Sequence, residues 1–151
     1  MDYQLVLRDT VEADRAALWQ AWTDMERFPT WDPREELTVL DQPFGPGATG
    51  RSKQRGAPES EFAITAVEPF ERWQVCTPLP GGMLVIDHRL APAAEGGITL
   101  EKTYRASGPM ALAFRFYFAR GIKKGMPQSF AALAEEARRI QAEGRIEDTA
   151  C

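Results

Sequence analysis

The chain gives up its alternating hydrophobic rhythm for good at Gly108-Pro109, and that change limits the folds open to it. Before it, apart from two short helical segments after the first strand, apolar residues recur at every second position in one short segment after another. After it, from about 110 to 144, the period is helical. Ile122, Met126, Phe130, Leu133, Ala137 and Ile140 recur at steps of three and four, which is one stripe of a long amphipathic helix. An antiparallel sheet made of the earlier segments has a face to cover. The final helix is the only element long enough to cover it.

The alternating segments follow one another closely. "YQLVLRDTV" reads as a first strand, with Leu5, Leu7, Asp9 and Val11 on one parity. Asp14 can cap a helix over "DRAALWQAW", where Leu18 and Trp22 share a face. Asp24 can cap a second short helix that Pro29 stops. "EELTVLD" is a strand, "QPFGPGATG" is turn chemistry, and "RSKQR" is a short strand on an exposed edge. "SEFAITAVEP" places Phe62, Ile64 and Ala66 together, and "ERWQVCT" places Trp73 with Val75. "PLPGG" and "APAAEGG" close hairpins on either side of "GGMLVIDHRLAP". In "ITLEKTYRA", Ile98, Leu100, Lys102 and Tyr104 share a face. Pro127 is expected to kink the long helix, because it removes one backbone donor. The segment "ALAFRFYFA" is apolar on nearly all sides, as for a segment that is buried or that borders a cavity or a partner.

At 151 residues, with 44% hydrophobic and 26% charged, the chain is a globular domain with a sizeable core. The expected organisation is one ligand-binding domain over 1–144 and a C-terminal tail over 145–151. A net charge of −4 argues against nucleic acid or an anionic membrane as partner, since both need a basic face. Cys76 and Cys151 make neither a disulfide framework nor a metal site, and there is one histidine, so no metal and no cofactor are expected. With no signal peptide and no membrane-spanning run, a cytoplasmic protein, monomer or homodimer, is expected. "GPGATG" lacks the Lys-Ser/Thr of a phosphate loop, and there is no Gly-x-Ser-x-Gly elbow.

Three features then resemble the helix-grip fold of the START/Bet v1-like (SRPBCC) superfamily, in its bacterial polyketide cyclase/dehydrase and lipid-transport branch. One is "VEADRAALWQAWTDMERFPTWDP", with Asp24, Phe28, Pro29 and Trp31 at an aromatic-Pro-x-Trp corner. Another is the turn "GPGATGR" together with "VEPFERW" at a hairpin. The last is "GMPQSFAALAEEA" in the final helix. The resemblance spans nearly the whole chain. It implies an α+β fold, a seven-stranded antiparallel sheet wrapped around the long helix, two short helices after the first strand, and an apolar cavity. Members differ widely in activity, and fold does not choose among them.

His88 falls on the more apolar face of its strand, with Leu84, Ile86 and Leu90. An imidazole there can act as general acid/base on a ketone-bearing ligand. An evenly closed hairpin sets His88 opposite Leu100 and diagonal to Lys102, while Tyr104 can donate to a ligand carbonyl. The plainer alternatives are a hydrogen-bonded histidine at a strand end, a rim lysine and a core tyrosine. The expected cavity wall is Trp31, Phe62, Ile64, Trp73, Leu84, Ile86, Leu100, Phe116, Met126 and Phe130, all of which could also be plain core. The function expected is binding of an apolar, polyketide-like or aromatic small molecule with cyclisation or dehydration by His88, Tyr104 and Lys102. A non-catalytic carrier or sensor of a lipid, quinone or other apolar ligand is the alternative. A protein-interaction module, using "ALAFRFYFA", is a third.

Overall fold

The computed structural model describes residues 2–144. The expected tail over 145–151 lies outside the described residues. The chain runs β1 (Asp2–Val11), α1 (Arg15–Thr23), a single 3-10 turn (Met25–Arg27), α2 (Phe28–Trp31), β2 (Glu35–Leu40), β3 (Thr49–Gln54), β4 (Ser60–Glu68), β5 (Arg72–Leu79), β6 (Gly82–Pro92) and β7 (Ile98–Ser107). Then follow α3 (Met110–Ala113), a π turn (Phe114–Phe118) and α4 (Ala119–Ala142).

The strands form one antiparallel sheet in the order β1-β7-β6-β5-β4-β3-β2. Each strand from β2 to β7 pairs with its sequence neighbour, and β1 closes beside β7. The helical segment after β1 therefore carries the chain from one edge of the sheet to the other. The stripe Ile122, Met126, Phe130, Leu133, Ala137 and Ile140 is buried along α4, which packs on α1 and β1. The sheet's covered face and this stripe form the core.

Local chemistry explains the first helices. The Asp14 carboxylate accepts the Ala17 N–H at 3.1 Å and caps α1, and Leu18 and Trp22 are buried below it. Asp24 makes no side-chain capping hydrogen bond. Pro29 does not stop a helix as the sequence suggests. It sits in the first turn of α2, where an amide N–H has no helical partner to lose.

Three further departures are structural. β3 is not an edge strand, since β2 pairs along its other side. A bulge between Ile64 and Ala66 breaks the expected alternation of β4. Ala66 then lies opposite Gln74, and Val67 takes the place opposite buried Trp73. The long helix continues across Pro127 as one element, but a π turn precedes it at Phe114–Phe118. Gly108, at φ 84°, makes the reversal from β7 into α3 that a side chain would strain.

Candidate functional site

Between the short helices and the concave face of the sheet lies a cavity of about 80 Å³. Its apolar lining is Met25, Phe28, Phe62, Trp73, Val75, Leu84 and Ile86. Interleaved with these are polar side chains, Glu35, Thr38, Ser52, Gln54, Ser60, Thr77, His88 and Lys102.

His88 reaches it from β6, opposite Trp73 on β5 and opposite Lys102 on β7. Leu100 faces Leu90 instead, so the β6–β7 register differs by two residues from an evenly closed hairpin. An even slip keeps every side chain on its face, which is why His88 and Lys102 still point to one side. The imidazole stacks on the Trp73 indole, with ring centres 3.7 Å apart and planes 2° from parallel. Trp22 meets it edge-on at 5.2 Å. Nδ1 lies 3.2 Å from the Trp73 carbonyl oxygen. A carbonyl only accepts, so Nδ1 carries the proton and Nε2 keeps its lone pair. Burial, and then the Lys102 charge, hold the His88 pKa well below its ordinary value, against the smaller pull of the Trp73 carbonyl. The imidazole is neutral at neutral pH.

Glu35 was not singled out by the sequence. Plain alternation groups it with Leu37 and Val39. A bulge between Glu35 and Leu37 sets it opposite Gln54, on the side where Thr38 faces Ser52. Gln54 Nε2 donates to both carboxylate oxygens, at 3.3 and 3.2 Å, and Thr38 Oγ1 donates at 3.4 Å. Burial raises the Glu35 pKa, and nearby Asp32 raises it further, while Lys102, Gln54 and Arg34 pull it down without reversing the shift. Lys102 sits with its Nζ 5.4 Å from the centre of the Tyr104 ring. It makes no ion pair among the described residues, although its charge acts on both Glu35 and His88. The cavity thus gathers a neutral imidazole, a carboxyl group that holds its proton unusually well, and an unpaired ammonium. Such a set can take a proton at one atom and supply one at another.

Of the expected site residues, His88, Lys102, Phe62, Trp73, Leu84 and Ile86 line the cavity. Tyr104 is buried outside its lining, with its ring against Phe114 at 5.9 Å. Ile64, Leu100, Met126 and Phe130 are core. Trp31 is partly exposed and packs edge-on to Phe28 at 5.5 Å. Phe116 lies on the outer side of the π turn and is 67% exposed, so it forms no part of a wall.

A wider groove of about 440 Å³ runs outside, along residues 23–26 and 40–44. Its carboxylates are engaged locally: Glu26 accepts the Leu40 N–H, Asp41 accepts Thr49 Oγ1, and Asp24 lies 3.9 Å from Arg27. Met25 lines both the groove and the inner cavity. Phe44 lines the groove and meets Trp73 edge-on at 5.5 Å. Met25 thus borders both spaces, and Phe44 links the groove to Trp73 of the cavity lining.

No family model matches this chain, and no curated protein matches it in sequence. Solved structures do match in shape. A protein from Mesorhizobium loti is 20% identical, with 91% of this chain and 98% of that one covered at a TM-score of 0.68. The di-domain ARO/CYC StfQ from the steffimycin biosynthetic pathway is 11% identical at a TM-score of 0.76, over 94% of this chain and 52% of that one. Ara h 8.0201 is 14% identical at 0.67, over 92% and 99%. The chain has the helix-grip fold. Identities this low carry the helix-grip architecture and no activity with it. No helix of the described residues is long and apolar enough to cross a membrane.

Proposed function

We propose that this protein binds a small apolar molecule bearing a carbonyl or hydroxyl group in the cavity under its short helices, and promotes cyclisation or dehydration of it. The observation that carries the reading is the convergence of Glu35, His88 and Lys102 on one small space lined in part by aromatic and aliphatic side chains. His88 Nε2 is the base that removes a proton from the carbon next to a ketone. The resulting carbanion attacks a second carbonyl, forming the new carbon–carbon bond. The oxygen of that carbonyl takes a proton from Glu35, while Lys102 stabilises the developing negative charge. In dehydration, the hydroxyl leaves as water with a proton from Glu35 as His88 removes the neighbouring C–H proton. Trp73 Nε1–H is buried without a hydrogen-bond partner among the described residues, a donor available to a ligand oxygen. Likeness of fold to an ARO/CYC from a biosynthetic pathway supports the direction of this reading.

About 80 Å³ is well below the roughly 300–1,000 Å³ of sites that hold drug-sized ligands. Binding therefore requires the cavity to widen. Met25 is the side chain suited to move, being unbranched and placed between the cavity and the outer groove.

The small volume also favours a second reading, a carrier that widens for its ligand without converting it. One experiment separates the two. The single histidine gives one set of imidazole signals in tag-free protein, and these are followed by NMR during titration with aromatic and fatty ketones. Any ligand that shifts them is then incubated with wild type, Glu35→Gln and His88→Gln, and its products are analysed. Turnover that falls at least tenfold in both variants supports the catalytic reading. Binding with no product in wild type establishes the carrier. Signals blind to every ligand would remove His88 from any site.

A further inference from the structure

The exposed apolar residues are unevenly placed. Six large ones are exposed among the described residues, and three of them, Leu112 (41%), Phe116 (67%) and Tyr117 (80%), fall within 112–117. This stretch is the outer face of α3 and the π turn. The buried face of the same stretch is already used, through Ala111 and Phe114. The outer residues are surplus to the core.

Charge is unevenly placed as well. The chain carries a net −4, yet no Asp or Glu occurs between Glu101 and Glu135. Arg115, Arg120, Lys123 and Lys124 are all exposed in this acid-free stretch. None of the four makes an ion pair among the described residues. The Arg115 guanidinium lies over the rings of Phe116 and Tyr3, at 5.5 and 5.9 Å. Neighbouring elements do not neutralise the region. Arg34 packs against Gly125, where an added Cβ would come 2.8 Å from its Cδ. Asp32, beside Arg34, is tied to Ser129 Oγ and the Arg34 N–H. Asp2 is the one acid in the first half of β1. The average charge, which suggests no anionic partner, conceals a basic face.

We propose that Leu112, Phe116 and Tyr117, bordered by Arg115, Arg120, Lys123 and Lys124, dock this protein onto an anionic lipid surface. Exposed aromatic and aliphatic side chains on one helical segment suit the headgroup boundary, and the cations beside them suit acidic headgroups. A second copy is a poor occupant. A twofold pairing of this face would bring four unpaired cations against the same four. The inference stands apart from the acid/base reading, since none of these residues lines the cavity.

The test is co-sedimentation of the full chain with vesicles of phosphatidylcholine, with and without phosphatidylserine. Binding is expected only with phosphatidylserine, and it weakens as salt is raised. Lys123→Gln/Lys124→Gln lowers affinity about 25-fold, at about five-fold per lost charge. Phe116→Ser/Tyr117→Ser abolishes sedimentation. All four side chains are exposed, so the circular dichroism and melting of both variants should match wild type. Failure of wild type to bind the acidic vesicles overturns the proposal. So does binding that both variants retain in full. A wild-type dimer in light scattering that Phe116→Ser/Tyr117→Ser converts to monomer overturns it in favour of a second copy. Binding to single-stranded nucleic acid but not to vesicles, lost in the same variants, overturns it in favour of that partner.

Discussion

Replacing His88 by glutamine should remove a specific pH dependence of stability. The chain has one histidine, and the fold holds it neutral by burial and by the charge of Lys102. In the unfolded chain the same imidazole takes up a proton near its ordinary pKa of about 6.5. Below that pH the unfolded state binds a proton that the folded state does not, so stability falls as pH falls. The loss is roughly 1 kcal/mol per pH unit for as long as the folded imidazole stays neutral. In a domain of this size that lowers the melting temperature by about 3 °C per unit. Urea unfolding followed by the fluorescence of the four tryptophans, at pH 7, 6 and 5, measures it. Glu35 titrates in the opposite sense over part of this range, because its raised pKa makes the fold bind a proton that the unfolded chain has released. The quantity to read is therefore the wild-type stability minus that of His88→Gln, in which the Glu35 contribution cancels. That difference should drop steadily from pH 7 to pH 5. A flat difference would mean that His88 protonates as readily in the fold as outside it, and the buried, stacked imidazole would lose its basis.

Other substitutions probe the remaining parts of the site. Glu35→Gln should be more favourable to stability at pH 7 than at pH 4, because at pH 7 the unfolded chain's Glu35 is ionised while burial in the fold disfavours that ionisation; denaturation at the two pH values measures the sign. Lys102→Met removes a positive charge that depresses the His88 pKa, so the imidazole signals should titrate at a higher pH than in wild type by NMR. Gly50→Ala should cost about 2 kcal/mol in chemical denaturation, because a Cβ there would stand 2.2 Å from the Val39 carbonyl oxygen and 2.7 Å from the Phe62 ring.

Much of the frame was legible because periodicity is local. The alternating segments became the strands of the sheet, and the stripe from Ile122 to Ile140 became the buried face of α4. Asp14 at a helix start is similarly local chemistry, an oxygen within reach of free amides. The site was less legible. His88 and Lys102 kept their expected side because the register slipped by an even number. Glu35 stayed hidden because a bulge is a property of a strand pair, and alternation within one strand does not reveal it. Phe116 was expected on a wall because apolar content says that a residue can be buried; which side of the helix faces the core depends on packing.

The sequence by itself determined the element types, the single long covering helix and the placing of an imidazole on an apolar strand face. Each of these follows from residues a few positions apart, whose side chains share a face through helix or strand geometry alone. Only the tertiary structure decided that Glu35 joins His88 and Lys102 around one small cavity, and that Phe116 and Tyr117 face outward among cations. Those facts depend on bulges, on a π turn and on pairing between distant strands, where the chain gives up local regularity to meet its own surface.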